Sequence, residues 1–97
     1  MPVAALRWPD KDPADNLDYS LDLAEFLASS TPADTITAVV WTVPAGLTAG
    51  VQYHAAGVAT TWLSGGTAGT DYTVTARITT AAGRVLERSA SIYVREL

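Results

Sequence analysis

The run Asp71-Tyr72-Thr73-Val74-Thr75-Ala76-Arg77-Ile78-Thr79 alternates between apolar and polar side chains along its whole length. A period of two is the signature of a strand with one face buried and one in water. Tyr72, Val74, Ala76 and Ile78 then face a core, and Thr73, Thr75, Arg77 and Thr79 face out. Working outward, Ala81-Ala82-Gly83 reads as a short hairpin loop, with glycine supplying a positive φ. Arg84 to Arg95 is the return strand, with Ala90, Ile92 and Val94 inward. On the other side, Ser64-Gly65-Gly66-Thr67-Ala68-Gly69 closes a strand over Val58 to Ser64. Thr48 to Ala55 is a weaker strand ending at Gly57. Thr35 to Val43 is rich in Thr, Ile, Val and Trp, as strands prefer. Val39, Trp41 and Val43 are assigned inward, and Pro44-Ala45-Gly46 ends that strand. Leu17, Tyr19, Leu21 and Leu23 alternate with Asp18, Ser20 and Asp22 in a further half-buried strand. Ala24-Glu25-Phe26-Leu27-Ala28 holds good helix formers and is expected to make one short turn, followed by a turn segment over 29–34.

Strands separated by turns every eight to twelve residues point to a sandwich or barrel. The expectation is an all-β, immunoglobulin-like β-sandwich of about six to seven antiparallel strands, occupying residues 17–97. Residues 1–16 are expected to form an extended N-terminal arm. Trp41, Tyr72, Val74, Ile78, Ile92 and Val94 are the core candidates. Tyr72 begins a strand after a glycine-rich corner, where immunoglobulin-like sandwiches place a tyrosine whose hydroxyl bonds back to the preceding loop. The 97 residues fit a single domain. There is no cysteine, so disulfides, thiolate metal sites and a cysteine nucleophile are excluded. The opening residues lack a basic region followed by an apolar core, so no secretory signal is expected there.

Charge is placed unevenly. Residues 1–34 carry seven acids and two bases, whereas residues 35–97 carry three acids and four bases. Neither part has the basic cluster that phosphate backbones demand, so nucleic acid is not an expected partner. Residues 35–70 contain no Asp, Glu, Lys or Arg. Pro44 and repeated glycines break that run well short of the ~20 apolar residues of a membrane helix, and no membrane partner is expected. Exposed strands are ordinarily protected by charge. Its absence here suggests that a partner covers part of this surface, unless threonine hydroxyls alone keep it soluble.

Chemistry-bearing patterns are few. Asp10, Asp12, Asp15 and Asp18 cluster, but a calcium loop of the EF-hand type needs glycine and glutamate where Asp15 and Leu21 stand, and Lys11 sits inside the group. These aspartates read as turn caps in a solvated loop. His54 is the sole histidine, no Gly-x-Ser-x-Gly elbow accompanies it, and a solvent- or partner-facing strand position is its expected role. The glycine-rich 64–69 segment lacks the Gly-Lys-Ser/Thr ending of a phosphate loop. No catalytic residue, cofactor or metal site is expected. Trp62 alternates with Leu63, so an inward Leu63 turns Trp62 outward; with Tyr53 and with Trp8 on the arm it is an interface candidate.

Four stretches together resemble a family of small tailed-phage virion proteins, the phage fibre-tail adaptors. They are Asp12-Pro13 with Leu17-Asp18-Tyr19; Asp34-Thr35-Ile36 with Trp41-Thr42-Val43-Pro44-Ala45-Gly46-Leu47; Trp62 to Gly69 with Tyr72-Thr73-Val74-Thr75; and Ile78 to Arg84 with Arg88-Ser89. The resemblance spans about residues 10–95. It implies an immunoglobulin-like virion protein of the tail region, made in the host cytoplasm and present as a homo-oligomer in a ring. One of its surfaces would meet the tail tube or nozzle, another a fibre. The family's second acid-aromatic pair is Asp22-Leu23 here, so no contact carries over to Leu23. The residues are equally compatible with a capsid decoration or head-tail accessory protein of the same fold. In another class, a carbohydrate- or surface-binding module would use Trp62 and Tyr53 as stacking faces.

Overall fold

The computed structural model describes residues 6–97. Two sheets stack face to face. One has the order β1 (Leu6–Arg7), β7 (Val85–Val94), β6 (Thr70–Thr80), β3 (Ile36–Thr42). The other has the order β2 (Leu17–Asp22), β5 (Val58–Gly65), β4 (Leu47–Ala55). A single helical turn, α1 (Ala24–Ala28), follows β2. This is an immunoglobulin-like sandwich, and the pairings are antiparallel apart from β1, which runs parallel to β7.

The core lies between the sheets. Val74, Ala76, Ile78, Ala90, Ile92 and Val94 point in from β6 and β7 and are fully buried. Leu63 and Ala59 meet them from β5, and Tyr19 and Leu21 from β2. Trp41 and Val39 of β3 pack against this cluster while remaining partly exposed. Removing such apolar area from water, at about 25 cal/mol per Å², is the main stabilising force in a domain of this size.

Tyr72 enters at the start of β6 with its ring buried and its hydroxyl accepting the Thr67 N–H at 2.9 Å. That bond draws the phenol pKa below its ordinary value. The ring also shapes the loop opposite: a Cβ on Gly46 would stand 2.8 Å from the Tyr72 hydroxyl, and Gly46 has φ +107°. The corner therefore needs a glycine there on two counts. Tyr72→Phe is expected to keep the fold but lower the midpoint of thermal unfolding by on the order of 5 °C, checked by circular dichroism.

Residues 6–11, within the segment expected to form an extended arm, are held against the sandwich. The described part of segment 1–16 is extended, but it lies along β7. The Trp8 N–H bonds the Ser91 carbonyl, the Lys11 N–H bonds the Tyr93 carbonyl, and the Arg95 N–H bonds the Lys11 carbonyl, each at 2.9 Å. Lys11 is fully buried, and its ammonium donates to the carbonyls of Asp12 (2.9 Å) and Gly65 (2.6 Å). It thereby ties this segment to the end of β5 in the opposite sheet. Burial pushes its pKa down. The part of the arm before Leu6 lies outside the described residues.

Candidate functional site

Each sheet has two edges, and these four edges differ in charge. The β1 and β2 edges share one side of the sandwich, where the Trp8 indole reaches the β2 carbonyl of Ser20 at 3.0 Å. They carry Arg7, Asp18 and Asp22. The β3 and β4 edges share the other side, joined by the short 43–46 connection. Neither holds an Asp, Glu, Lys or Arg. The uncharged stretch 35–70 thus includes both open edges of one side.

β4 is exposed along nearly its whole length; only Leu47 is buried. Val51 is 69% and Tyr53 50% exposed, and on β3 Val40 is 63% exposed. The reason is geometric. β4 pairs only with β5, and its register slips between Ala49 and Gln52, so that Gly50 and Val51 stand against Trp62. A Cβ on Gly50 would be 3.2 Å from the Trp62 Cβ, so the bulge passes closely over Trp62 and a larger residue at position 50 would have to push it back by a few tenths of an ångström. β4 returns to β5 through Ala56 (φ 52°) and Gly57 (φ 80°), the two positive angles of a tight hairpin turn.

Trp62 pairs with Asp18 and Tyr53 pairs with Thr60, on the outer face of the three-stranded sheet. Trp62 is partly buried there beside the bulge, and Tyr53 stands more open. Between them Thr60 shares a hydrogen bond with Ser20 at 2.9 Å. The result is an aromatic and hydroxyl surface flanked by the acids of β2. Trp8 does not belong to it. Expected at a subunit interface, Trp8 is only 5% exposed and packs inside its own domain, with its ring 5.1 Å from Tyr19 and 6.4 Å from Trp41. The parallel pairing of β1 with β7 carries it between the sheets, a consequence of long-range register that its flanking Arg7 and Pro9 do not announce.

The acidic and histidine side chains are otherwise engaged or apart. Asp10 pairs with Arg95 at 2.7 Å; Asp12 accepts the N–H groups of Ala14 and Leu97; Asp15 accepts that of Asp12. Among the described residues no group of His, Cys, Asp and Glu is arranged to hold a metal ion. No helix of the described residues is long and apolar enough to cross a membrane. His54 is exposed and lines an open groove of about 250 Å³ with Leu27, Ile36 and Asp34. The Asp34 carboxylate does not serve it. Its oxygens accept from the N–H groups of Thr35 (2.9 Å) and Ala82 (3.0 Å) and from Arg84 (2.7 Å). Asp34 is the buried anchor of that end of the sandwich; its place in the sequence, at the end of a turn segment, does not show this role, because Ala82 and Arg84 lie far along the chain.

Comparison with solved structures finds the same fold in different settings. One match is a portion of an endo-fucoidan hydrolase of glycoside hydrolase family 107, with a TM-score of 0.67 and 18% identity, covering 98% of this chain and 13% of the hydrolase. The chain thus spans a small fraction of that enzyme. Another is the PKD domain of the KIAA 1837 protein, with a TM-score of 0.51 and 20% identity, covering 92% of this chain and 82% of that one. At these identities the likeness is one of fold. No curated protein matches the sequence. A family model matches residues 11–93, nearly the whole sandwich with its uncharged edges and aromatic face, and on that match the chain belongs to the family of the podophage GP4 fiber-tail adaptor protein gp77.

Proposed function

We propose that this protein is a non-enzymatic structural component of a phage virion, placed in the tail region, where it joins the tail tube or nozzle to the fibres. Membership of the fibre-tail adaptor family supports the adaptor role and the tail location. The observation that carries the mode of action is the side of the sandwich formed by β3 and β4, where two open edges lie together without charge. Edges left in this state are templates for pairing with another chain. The outer face with Tyr53 and Trp62 offers aromatic anchors of the kind that dominate binding energy. The rigid sandwich fixes where these surfaces point. Copies arranged in a ring multiply individually weak contacts through effective concentration.

The test is binding of the purified protein to its tail and fibre proteins. Tyr53→Ala is expected to weaken one of those complexes about tenfold, in the range of an aromatic hot spot. Its thermal unfolding should match the parent, because Tyr53 is half exposed. Absence of binding to either partner removes the adaptor reading. A second reading, a carbohydrate-binding module, is favoured by one observation, the presence of Tyr53 and Trp62 on the same outer sheet face. Tight binding on a glycan array, lost in Trp62→Ala, would promote it over the first.

A further inference from the structure

The uncharged side contains two edges, and they are not equivalent. β4 is interrupted by the bulge at Gly50 and Val51. β3 has its irregularity between Ile36 and Ala38, which leaves Ala38-Val39-Val40-Trp41-Thr42 in unbroken register with β6. Five consecutive regular residues, four of them (Val39, Val40, Trp41 and Thr42) of high β-propensity, unpaired on one side, form a ready strand-pairing surface. Bulges ordinarily blunt edges, and here the bulge in β3 lies just before the stretch.

We infer that the Ala38–Thr42 edge of β3 pairs antiparallel with the same edge of a second copy of this chain, joining two four-stranded sheets into one. A symmetric antiparallel pairing sets each edge against itself, so it requires a self-complementary sequence. Centred on Val40, it brings Val40 against Val40, Ala38 against Thr42, and Val39 against Trp41. Every such pair is apolar or hydroxyl-bearing, and β-branched or aromatic cross-strand pairs are favourable. The same operation on β2 opposes Asp18 to Asp22, a like-charge contact that disfavours it. Val40, 63% exposed in the single chain, becomes the centre of the contact. The neighbouring β4 edge, also uncharged, places no repulsion beside the joint. The inference rests on the reading of the β3–β4 side as the contact side, and adds the identity of one occupant; because a two-fold joint closes on itself, it makes pairs of copies, and a ring would link those pairs through other surfaces.

Sedimentation of the full chain over a wide concentration range, with amide hydrogen exchange, tests it. The expected result is a doubling of mass at high concentration, accompanied by slowed exchange within residues 38–42. Val40→Lys puts two ammonium groups face to face and should return the mass to that of one chain. Val40→Thr, which keeps β-branching without charge, should retain the doubling. Both variants are expected to fold, since the side chain is exposed, and circular dichroism verifies this. A single-chain mass at every concentration overturns the inference, as does a doubling that Val40→Lys leaves intact. Protection of 38–42 only when a tail or fibre protein is added also overturns it, and assigns the edge to a foreign strand instead. Binding of Val40→Lys to those proteins is scored separately, so loss of the adaptor role and loss of self-pairing are told apart.

Discussion

Trp8→Ala is expected to destabilise the isolated domain by about 3–5 kcal/mol, the cost of emptying a buried aromatic site. Domains of this size are stable by roughly 5–15 kcal/mol, so the change removes a large share of the total. In a thermal melt it should appear as a fall of more than about 10 °C. The ring is buried, packs at a tilt on Tyr19 and Trp41, and donates its indole N–H to the Ser20 carbonyl. Removal leaves a cavity between the sheets, two aromatic contacts undone and a carbonyl without its donor. Trp8→Phe restores most of the volume and should recover more than half of the loss. The outcome also separates two roles for this residue. Were Trp8 a side chain reserved for a neighbouring subunit, alanine would weaken assembly and leave the melting curve of the single chain in place.

That residue marks where sequence reasoning ends. The sandwich was legible because β6 and β7 write their period-two pattern over ten or more residues, and buried faces permit a single register. Tyr72 was legible because its partner, the Thr67 N–H, lies five residues away, within reach of a local pattern. The outward turn of Trp62 followed from strand alternation with Leu63. Trp8 and Lys11 were not legible. Both sit among charged and proline neighbours that read as surface, and both are buried by contacts to Ser91, Tyr93 and Gly65 across the chain. A buried lysine satisfied by carbonyl oxygens leaves no mark on local periodicity. The charge-free stretch 35–70 was plain in the sequence, but that it supplies both edges of one side depends on β3 and β4 lying in different sheets. Such facts belong to topology, which alternation does not encode.

Asp34→Asn is expected to lower the unfolding midpoint at neutral pH, and the gap from the parent should close in acid. The Thr80 hydroxyl, the Arg84 guanidinium and the N–H groups of Thr35 and Ala82 together hold the Asp34 carboxyl at about 2, against the opposing effect of its burial. An unfolded aspartate titrates near ~3.9. Because the folded value is depressed, the carboxylate's stabilising contribution is complete above the unfolded value and disappears as the pH falls toward about 2. Melts of the two proteins from pH 7 to pH 2 should therefore run parallel down to about pH 5 and converge below it. Arg84→Ala should be milder, since its side chain is 44% exposed and solvent already screens it. A gap that stays constant through acid would assign the loss to packing alone. The same carboxylate joins the start of β3 to the β6–β7 hairpin, where Ala81 also bonds the Thr35 carbonyl. Loosening it frees the end of the strand whose regular edge is offered to a second copy. Asp34→Asn is accordingly expected to speed amide exchange at Thr35 and Ala82 before it reaches residues 38–42, and that order of opening would show that the latch supports the edge without being part of it.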